Sequence, residues 1–558
     1  MKGYGLTVFA GTTPERFDVE VVSVVPNFLL RQSIILIRCS HPVTDRAGII
    51  GGMSGSPIYL DGRLAGALAY GWRFNKDPLA GVTPIRNMLD VLKRKIRKQR
   101  SGIIPVRLAK IFSPLSLLAA NTPFVPNTFF DHFRKNNDSN VVPARTPISI
   151  SGFFGAARSM LFDMLAPFGM DPMQGGGGGT LNDPGKFVPG GAIGVQLIRG
   201  DMSATGIGTV TAIRKNSVLA FGHPMFNMGQ GLLPTSTAYI HTVISSLNRS
   251  NKLGSGLGEL GSLVQDRQSC IVSRTDRKAV MIPVRYHLVD KRSGVDTTYN
   301  VEIAAHRLLT PRFLKAALLN IIQNAASDAT DVTADIVGTI KISGRSPMTL
   351  RDTGASRKGL ASLLTYFRPS AVASIVLSNP FENAEIESMN FDVNLRYGLE
   401  VSTITGVYLT AENPAPGDVV NLHVRLRSFG GEEEVLTFPL KIPIGLAKTN
   451  IKIQVGGGDA MVPPMPTPQN LDDILDNVAR FYPPKSLVVG IDVPGSGVSL
   501  RGRLLENLPA SAISSLKPSV GTEDMETHSN VLRKVYPTTH LISGKETLTV
   551  KVASRRNR

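Results

Sequence analysis

Cysteine and long apolar runs are the scarcest features of this chain of 558 residues. It holds two cysteines, Cys39 and Cys270. Two are too few for a disulfide framework or a cysteine-rich zinc site, and they leave open either one bridge or two buried thiols. No uninterrupted apolar run reaches the ~18 residues that a membrane-spanning helix needs. We therefore expect a globular protein without a transmembrane segment, and nothing in the sequence implies a metal or a cofactor.

Acidic residues are also in deficit. The chain has 61 Lys and Arg against 43 Asp and Glu, a formal net charge of +18, which predicts long-range attraction to polyanions. Much of the excess lies in runs such as LKRKIRKQR at residues 92–100, which are typical of the solvated end of a helix. No aromatic-interleaved basic strand and no recognition helix accompanies them, so nucleic acid is not an expected partner.

Glycine and proline, in contrast, are abundant. The chain has 54 glycines and 37 prolines between short runs of valine, isoleucine and threonine, which predicts many short strands joined by tight turns. Asp61-Gly62 is a hairpin signal between two apolar runs, and TPIRNMLDVLKRKIRK predicts a helix from about Thr83. The sequence thus indicates a mainly β protein, and its length exceeds what one hydrophobic core supports.

A serine among glycines is the first candidate for chemistry. The run GIIGGMSGSPIYLDGRLAGALAYGW places Ser54 in a small-residue turn before an apolar strand, as some serine hydrolases present a nucleophile. Because Gly52 has no side chain, the backbone can turn so that the N–H groups of Gly52 and Ser54 point into one small volume beside Oγ. The alternative reading is a tight turn without chemistry, so a partner base is needed.

Two of the nine histidines are candidates for that base. The others lie in polar loops, in strand-like runs or, for His241, after a tyrosine in a segment that is compatible with a helix. His223, in AFGHPMFNMGQG, follows an apolar strand and a glycine, in a turn that would expose its ring at a strand end. His41, in RCSHPVTDRAG, has a similar setting. Histidine is the side chain whose ordinary pKa suits proton transfer near neutral pH, and the two candidates compete for the same role.

Two patches of the chain resemble a known family. FDVEVVSVVPNF, IILIRCSHP and the Ser54 run resemble the nucleophile-bearing half of the SpoIVB peptidases, serine peptidases related to the chymotrypsin-like ones. VPGGAIGVQL and GIGTVTAIRKNSVLAFGHP resemble the other half. The resemblance covers about a third of the chain and implies that Ser54, the first serine of GMSGSP, is the nucleophile and that His223 is the general base.

The chain departs from that family in three ways. The halves come in reverse order, with Ser54 before His223, as a circular permutation would produce; triad geometry is indifferent to chain order. The family's PDZ domain is missing, since only SATG separates LIRGDM from IGTV. The family's acidic triad member lies in a TDP motif, and the matching place here reads SHP, with His41 where aspartate is expected.

The third departure leaves the identity of the third group open. A neutral imidazole orients another histidine, but it stabilises an imidazolium less well than a carboxylate does, so His41 in that role implies weak catalysis. Alternatively, Asp45 takes the acidic role, or His41 is itself the base and His223 is structural. Asp266 and Arg267, in LVQDRQS, are further candidates near the site, and the sequence does not rank them.

These observations lead to an expected fold and domain order. Three evenly spaced strand signals after residue 397, VSTITGVYLT, PGDVVNLHVRLRSF and EEEVLTFPLKIP, resemble part of an immunoglobulin-like sandwich. We expect a mainly β, two-barrel chymotrypsin-like fold with permuted halves. The expected order is the nucleophile-bearing half at residues 1–100, a linker with a packing helix at 101–185, the histidine-bearing half at 186–396, an immunoglobulin-like β-sandwich region at 397–456 and a small α+β region at 457–558.

The expected function is that of a serine endopeptidase acting on a protein or peptide substrate, with Ser54 Oγ within ~3 to 4 Å of a His223 nitrogen. The alternative is a catalytically weak or inactive peptidase-like scaffold that binds an envelope protein or polymer, the C-terminal sandwich being the docking module. MKGYGLTVFAG lacks the apolar region of a signal peptide. A true start at Met1 predicts a soluble cytoplasmic protein, whereas the resemblance implies an exported bacterial protein of the periplasm or cell envelope, with a signal peptide upstream.

Overall fold

The architecture is that of a computed structural model. It describes residues 1–29, 32–72, 77–95, 141–143, 146–176, 185–326, 331–356, 364, 367–444, 450–500, 503–505, 508, 510–516 and 525–554. Strands dominate these ranges, and several of them close into barrel-like sheets. The prediction of a mainly β protein with a chymotrypsin-like arrangement of barrels is therefore confirmed at the level of fold class.

The first barrel carries the candidate nucleophile. Its strands hydrogen-bond in the order β4-β1-β2-β3-β6-β5, and pairing of β4 with β5 closes the ring. The six strands are β1 (Lys2–Thr7), β2 (Glu15–Leu29), β3 (Gln32–Ser40), β4 (Pro57–Leu60), β5 (Arg63–Trp72) and β6 (Leu79–Pro84). Alternating apolar residues of these strands fill the interior, among them Phe17, Val19 and Ile37. A short strand β7 (Val141–Pro143) pairs with the end of β5.

Two helices flank this barrel. Helix α1 (Pro42–Ala47) lies between β3 and the Ser54 turn, and helix α2 (Ile85–Leu92) follows β6. The helix predicted from about Thr83 begins at Ile85, because Thr83 is still paired with Ala67 in the ladder between β5 and β6. Residues 96–100, the basic end of that predicted helix, lie outside the described residues.

The second barrel carries the candidate base. Its strands are β10 (Ala192–Gly200), β11 (Ser203–Arg214), β12 (Ser217–Ala220), β13 (Gly229–Ile244), β14 (Asn251–Arg267) and β15 (Cys270–Arg274). They pair in the order β10-β13-β14-β15-β12-β11, and pairing of β10 with β11 closes the ring. The chain thus forms two closed six-stranded barrels, one on each side of the candidate site.

Further strands extend the sheet of the second barrel beyond both β10 and β11. On the β11 side lie β8 (Thr146–Ser151) and β9 (Met170–Gln174); on the β10 side lie β16 (Met281–Asp290), β17 (Val295–Ala304), β18 (Val332–Ile342), β19 (Met348–Ser356) and β20 (Ile386–Tyr397). The helices α3 (Gly155–Leu165), α4 (Thr310–Ala325) and α5 (Arg368–Ser378) contribute apolar residues to the same core as this sheet. A 3-10 turn, Ala166–Phe168, follows α3.

The C-terminal part has two sheets that share one hydrophobic core. The first sheet has β21 (Val401–Leu409), β22 (Val419–Ser428), β23 (Glu433–Lys441) and β28 (Leu541–Ser543); the second has β24 (Asn450–Gly457), β25 (Ser486–Leu500), β26 (Arg503–Leu505), β27 (Met525–Pro537) and β29 (Lys545–Lys551). Helix α6 (Leu471–Ala479) follows β24 in the chain, but its buried residues Leu471, Ile474 and Val478 belong to the core of the larger sheet. Helix α7 (Ala510–Leu516) lies between β26 and β27 in the chain. Assignment of residues 397–456 to an immunoglobulin-like sandwich stays a prediction.

The two cysteines are buried free thiols, which decides between the alternatives left open by the sequence. Burial raises the pKa of Cys39 to about 12 and raises the pKa of Cys270 further, so both thiols stay protonated at neutral pH.

Among the described residues, no helix combines the length and the apolar character that crossing a bilayer requires.

The two barrels meet over an apolar contact and two isolated bridges. Met88 and Val91 of α2 pack with Leu219 and Val264 of the second barrel. Backbone bridges join Gly11 to Ile240 and Gly51 to Asn251. The second bridge lies three residues before Ser54, so docking of the barrels bears directly on the candidate site.

Candidate active site

The Ser54 turn lies between α1 and β4, at the junction of the barrels. The residue after the serine, Gly55, has φ +98°, a conformation that favours glycine. A Cβ atom added there would lie 1.9 Å from the carbonyl oxygen of Thr209 and 2.5 Å from the backbone nitrogen of Phe221. The glycine thus lets the serine turn approach two backbone segments of the second barrel, and Ser54 itself is only 1% exposed.

The backbone amides of Gly52 and Ser54 have fixed directions. The carbonyl of Gly51 accepts a backbone N–H from the start of β14 at 2.9 Å, and the carbonyl of Met53 accepts the N–H of Ser56 at 2.9 Å and its hydroxyl at 2.7 Å. In a planar trans peptide the C=O and the following N–H point in opposite directions. The N–H groups of Gly52 and Ser54 are therefore held pointing away from these partners, and their assignment to an oxyanion hole stays a prediction.

Two threonines of β11 hold the same turn from the other barrel. Thr209 donates its hydroxyl to the Gly52 carbonyl at 2.8 Å and its N–H to the Ser54 carbonyl at 2.8 Å. Thr211 donates its hydroxyl to the Gly55 carbonyl at 2.7 Å. These bonds give a structural role to both threonines of the GTVT run, which lies in one of the two patches that resemble the family.

His223 follows a strained corner at the end of β12. Phe221, a bulky residue for which positive φ is unusual, has φ +72°, and Gly222 has φ +70°. Thr83 of the first barrel donates its hydroxyl to the Gly222 carbonyl at 2.7 Å. For Phe221 this conformation costs of order 1–3 kcal/mol and persists where the surroundings enforce it, whereas Gly222 adopts it without strain. The corner is followed by His223, whose ring contacts Ser54.

Ser54 and His223 lie in direct contact. The Ser54 Oγ is 2.9 Å from His223 Nε2, and His223 is only 2% exposed. On the other side of the ring, Nδ1 lies 2.8 Å from the carbonyl oxygen of Pro224. A carbonyl only accepts, so Nδ1 carries the proton in this bond, and Nε2 is left to accept the serine hydroxyl. This is the tautomer that a general base requires.

A buried carboxylate holds the segment after His223. Asp266 of β14 accepts the backbone N–H groups of Met225 at 2.8 Å, Phe226 at 2.7 Å and Met228 at 3.3 Å. It is fully buried. Burial raises the pKa of Asp266, and the backbone N–H donors oppose that shift because they stabilise the charged form. The sequence named this residue as a candidate and gave no means of ranking it.

His41 and Asp45 lie together at the start of α1. His41 is the N-cap of this helix: its Nδ1 accepts the N–H of Val43 at 3.2 Å. Its ring stacks on Phe9 with centroids 4.4 Å apart. Asp45 Oδ1 accepts the backbone N–H of His41 at 3.3 Å. The contacts seen for both residues are those of a capped helix, and a catalytic role for either one stays a prediction.

A buried lysine is the component that the sequence did not indicate. Lys252 of β14 donates from Nζ to the hydroxyl of Thr7 at 2.7 Å and lies 3.5 Å from the hydroxyl of Thr209. Its aliphatic stem packs on Gly52, where an added Cβ would lie 3.1 Å from Lys252 Cδ. Burial lowers the pKa of Lys252 to about 7.

Within the described ranges, no cluster of His, Cys, Asp or Glu is arranged to hold a metal ion.

The comparisons with known proteins bear on the first barrel. Residues 3–89 match the family model of the SpoIVB peptidase S55. This segment contains the Ser54 turn, whereas His223 lies beyond it. Neither the curated proteins nor the solved structures gave a match. The part of the chain that carries Ser54 is thus a match to the SpoIVB peptidase S55 family, which confirms the resemblance inferred from its sequence.

Proposed function

We propose that the protein is a serine endopeptidase of the SpoIVB type that cleaves a protein substrate. The observation that carries this proposal is the 2.9 Å contact between Ser54 Oγ and His223 Nε2, one residue from each barrel. A second support is the orientation of the two amides beside Ser54. The match of residues 3–89 to a peptidase family points to the same class of reaction.

The proposed reaction proceeds by acyl transfer. Ser54 Oγ attacks the carbonyl carbon of the scissile peptide while His223 Nε2 takes the hydroxyl proton. The negative charge that develops on the carbonyl oxygen is stabilised by the N–H groups of Gly52 and Ser54. His223 then returns the proton to the leaving amine. A water molecule, deprotonated by the same histidine, hydrolyses the acyl-enzyme and restores Ser54.

The group on the far side of the histidine differs from the usual carboxylate. Nδ1–H donates to the Pro224 carbonyl, which fixes the tautomer but carries no net charge to stabilise the imidazolium. We therefore expect this bond to stabilise the imidazolium less than a bond to a carboxylate would. We also propose that the two barrels are the two halves of the family's peptidase domain in reverse chain order. The family further implies that the protein is exported to the periplasm or cell envelope.

A second candidate is the inactive scaffold that binds an envelope protein or polymer. One observation favours it: His41, at the position of the family's acidic residue, caps α1 and stacks on Phe9. A peptidase-like pair of barrels in which a histidine occupies the expected acidic position could persist for binding alone. The two sheets of the C-terminal part would then supply the docking surface.

Labelling with a fluorophosphonate probe separates the two candidates, because the probe reacts with activated serines. We expect the wild-type protein to be labelled, Ser54→Ala and His223→Ala to lose labelling, and His41→Ala to keep it. Ser56→Ala is the matched control, since Ser56 lies in the same turn and its hydroxyl bonds the Met53 carbonyl. A folded wild-type protein that takes up no probe would refute the peptidase proposal and favour the scaffold.

A further inference from the structure

We propose that Asp266 is a positioning residue that acts on His223 through the Pro224–Met225 peptide group. The inference rests on the proposed function of Ser54 and His223 and adds the origin of the electrostatic support for that base. It assigns a role to a buried carboxylate that does not touch the imidazole.

The geometry is a continuous chain of hydrogen bonds. Asp266 Oδ1 accepts the N–H of Met225 at 2.8 Å. The carbonyl of the same peptide group, that of Pro224, accepts His223 Nδ1–H at 2.8 Å, and His223 Nε2 contacts Ser54 Oγ at 2.9 Å. Because the peptide is planar and trans, its N–H and C=O point in opposite directions. Fixing the N–H on Asp266 therefore aims the carbonyl at the imidazole.

The charge of Asp266 would also strengthen this carbonyl as an acceptor. A carboxylate on the N–H side of an amide polarises the group and increases the negative charge on its oxygen, and hydrogen bonds in a chain reinforce one another in a low-dielectric interior. His223 and Asp266 are both almost fully buried, so solvent screening is small. An imidazolium formed at His223 is therefore more stable with Asp266 ionised than without it.

A purely structural role is the competing explanation. Asp266 also accepts the N–H groups of Phe226 and Met228, so its loss would loosen the whole turn. The two roles differ in one observable. A loosened turn slows acylation at every pH, whereas loss of electrostatic support also lowers the pKa of His223, because the positive imidazolium loses a stabilising charge.

The first test measures the rate of fluorophosphonate inactivation against pH for wild type, Asp266→Asn and Asp290→Asn. Asp290 is the matched control: it is buried and accepts the backbone N–H groups of Arg292 and Ser293 at the end of β16. For Asp266→Asn we expect a plateau rate at least about tenfold lower and an inflection about half a pH unit or more lower. Asp290→Asn should keep both values.

A second pair of variants applies even where Asp266→Asn does not fold. The α-hydroxy analogue of methionine, placed at Met225 or Met228, replaces one backbone N–H with an ester oxygen. Both N–H groups bond Asp266, but only that of Met225 belongs to the peptide whose carbonyl faces His223. The ester at Met225 removes the N–H that bonds Asp266 and also makes the Pro224 carbonyl a weaker acceptor, so it tests the whole path from Asp266 to His223. We expect it to lower the rate and the inflection, and the ester at Met228 to leave the inflection unchanged; an unchanged inflection with the Met225 ester overturns the inference.

The possible results separate the inference from the function on which it rests. Labelling of wild type at Ser54, with a lowered inflection in Asp266→Asn and in the Met225 ester only, supports the positioning role. Equal inflections in all labelled variants overturn that role and leave the peptidase proposal standing. A folded wild-type protein that is not labelled at any pH overturns the peptidase proposal itself.

Discussion

Lys252 belongs to the second barrel and packs against Thr7 and Gly52 of the first. Replacing it with methionine should stabilise the docked pair of barrels and remove a specific pH dependence of their stability. Methionine keeps the aliphatic stem that packs on Gly52 and removes a buried amine. The pKa of this amine is lowered from 10.5 to about 7 by burial. The folded state therefore binds the proton less tightly than the unfolded chain does.

The size of the effect follows from that pKa difference. Between pH 7 and 10.5 the unfolded chain holds a proton that the folded protein has released, so the free energy of unfolding of the wild type rises with pH over this window. At ~1.4 kcal/mol per pKa unit, charging the buried amine below pH 7 costs on the order of 5 kcal/mol. From pH 6 to pH 9 this one group should raise the stability by about 2 to 3 kcal/mol.

The hydrogen bonds of the amine work against the gain in the variant. Loss of the bond to Thr7 leaves a buried hydroxyl with one partner fewer, at a cost of about 1 to 3 kcal/mol. We therefore expect Lys252→Met to be the more stable protein at pH 6 by about 2 kcal/mol or more. The advantage should shrink or vanish by pH 9, where the wild-type amine is neutral.

The chain contains one tryptophan, and its position makes the assay local. Trp72 ends β5 of the first barrel, so its fluorescence in urea titrations follows that barrel rather than the whole protein. Titrations at pH 6, 7, 8 and 9 would compare wild type, Lys252→Met and the exposed control Lys278→Met. If the free energy of unfolding changes with pH in the same way for wild type and Lys252→Met, burial does not lower the pKa of Lys252, and the reasoning is wrong.

Three further outcomes are expected. Gly55→Ala should lose probe labelling and several kcal/mol of stability, because its Cβ would lie 1.9 Å from the Thr209 carbonyl at a φ of +98°; Trp72 fluorescence and probe uptake check both. Thr209→Val should slow labelling about tenfold while the circular dichroism spectrum is retained, because the Gly52 carbonyl loses its hydroxyl donor. Cys39 and Cys270 should resist thiol reagents at pH 8 in the folded protein and react only on unfolding, because burial keeps both protonated; a mass shift of the native protein would contradict this.

The serine turn was predictable because its geometry is encoded locally. Glycines on both sides of Ser54 are typical of positive φ values and of a turn that another backbone segment approaches closely. Gly52 and Gly55 have φ +94° and +98°. The same holds for the corner before His223, where a glycine follows an apolar strand. The local sequence does not show which other segment packs against these glycines. In the structure that segment includes Thr209, whose carbonyl leaves no room for a side chain at position 55.

The residues around His41 also carry local signals for its role as a helix cap. His41 is followed by a proline at the first helical position, and Asp45 lies in the first turn, which together are signals for a helix start. The family's TDP motif has an aspartate at the place of His41, so the resemblance predicts an acidic residue there and not a helix cap. The short helix α1 explains both residues through local hydrogen bonding.

Asp266 could not be ranked because its partners depend on strand register. It pairs with Gly229 across the β13–β14 hairpin, and between Gln230 and Thr242 the register of that hairpin shifts several times. Each bulge changes which residues face each other, so sequence spacing does not predict the partner of Asp266. The sequence does not indicate the role of Lys252 for a similar reason, since burial of its amine depends on β1, β11 and the serine turn together.

The contacts of the serine turn also explain why chain order is secondary for such a site. Its carbonyls at Gly51, Gly52, Ser54 and Gly55 each accept a hydrogen bond from the second barrel, and the His223 corner is held in return by Thr83 of the first. Neither barrel therefore orients its own catalytic group without the other. Geometry of this kind depends on docking of the two barrels and not on which of them comes first in the chain. A permuted order of halves preserves every one of these bonds as long as the connecting segment lets the barrels meet.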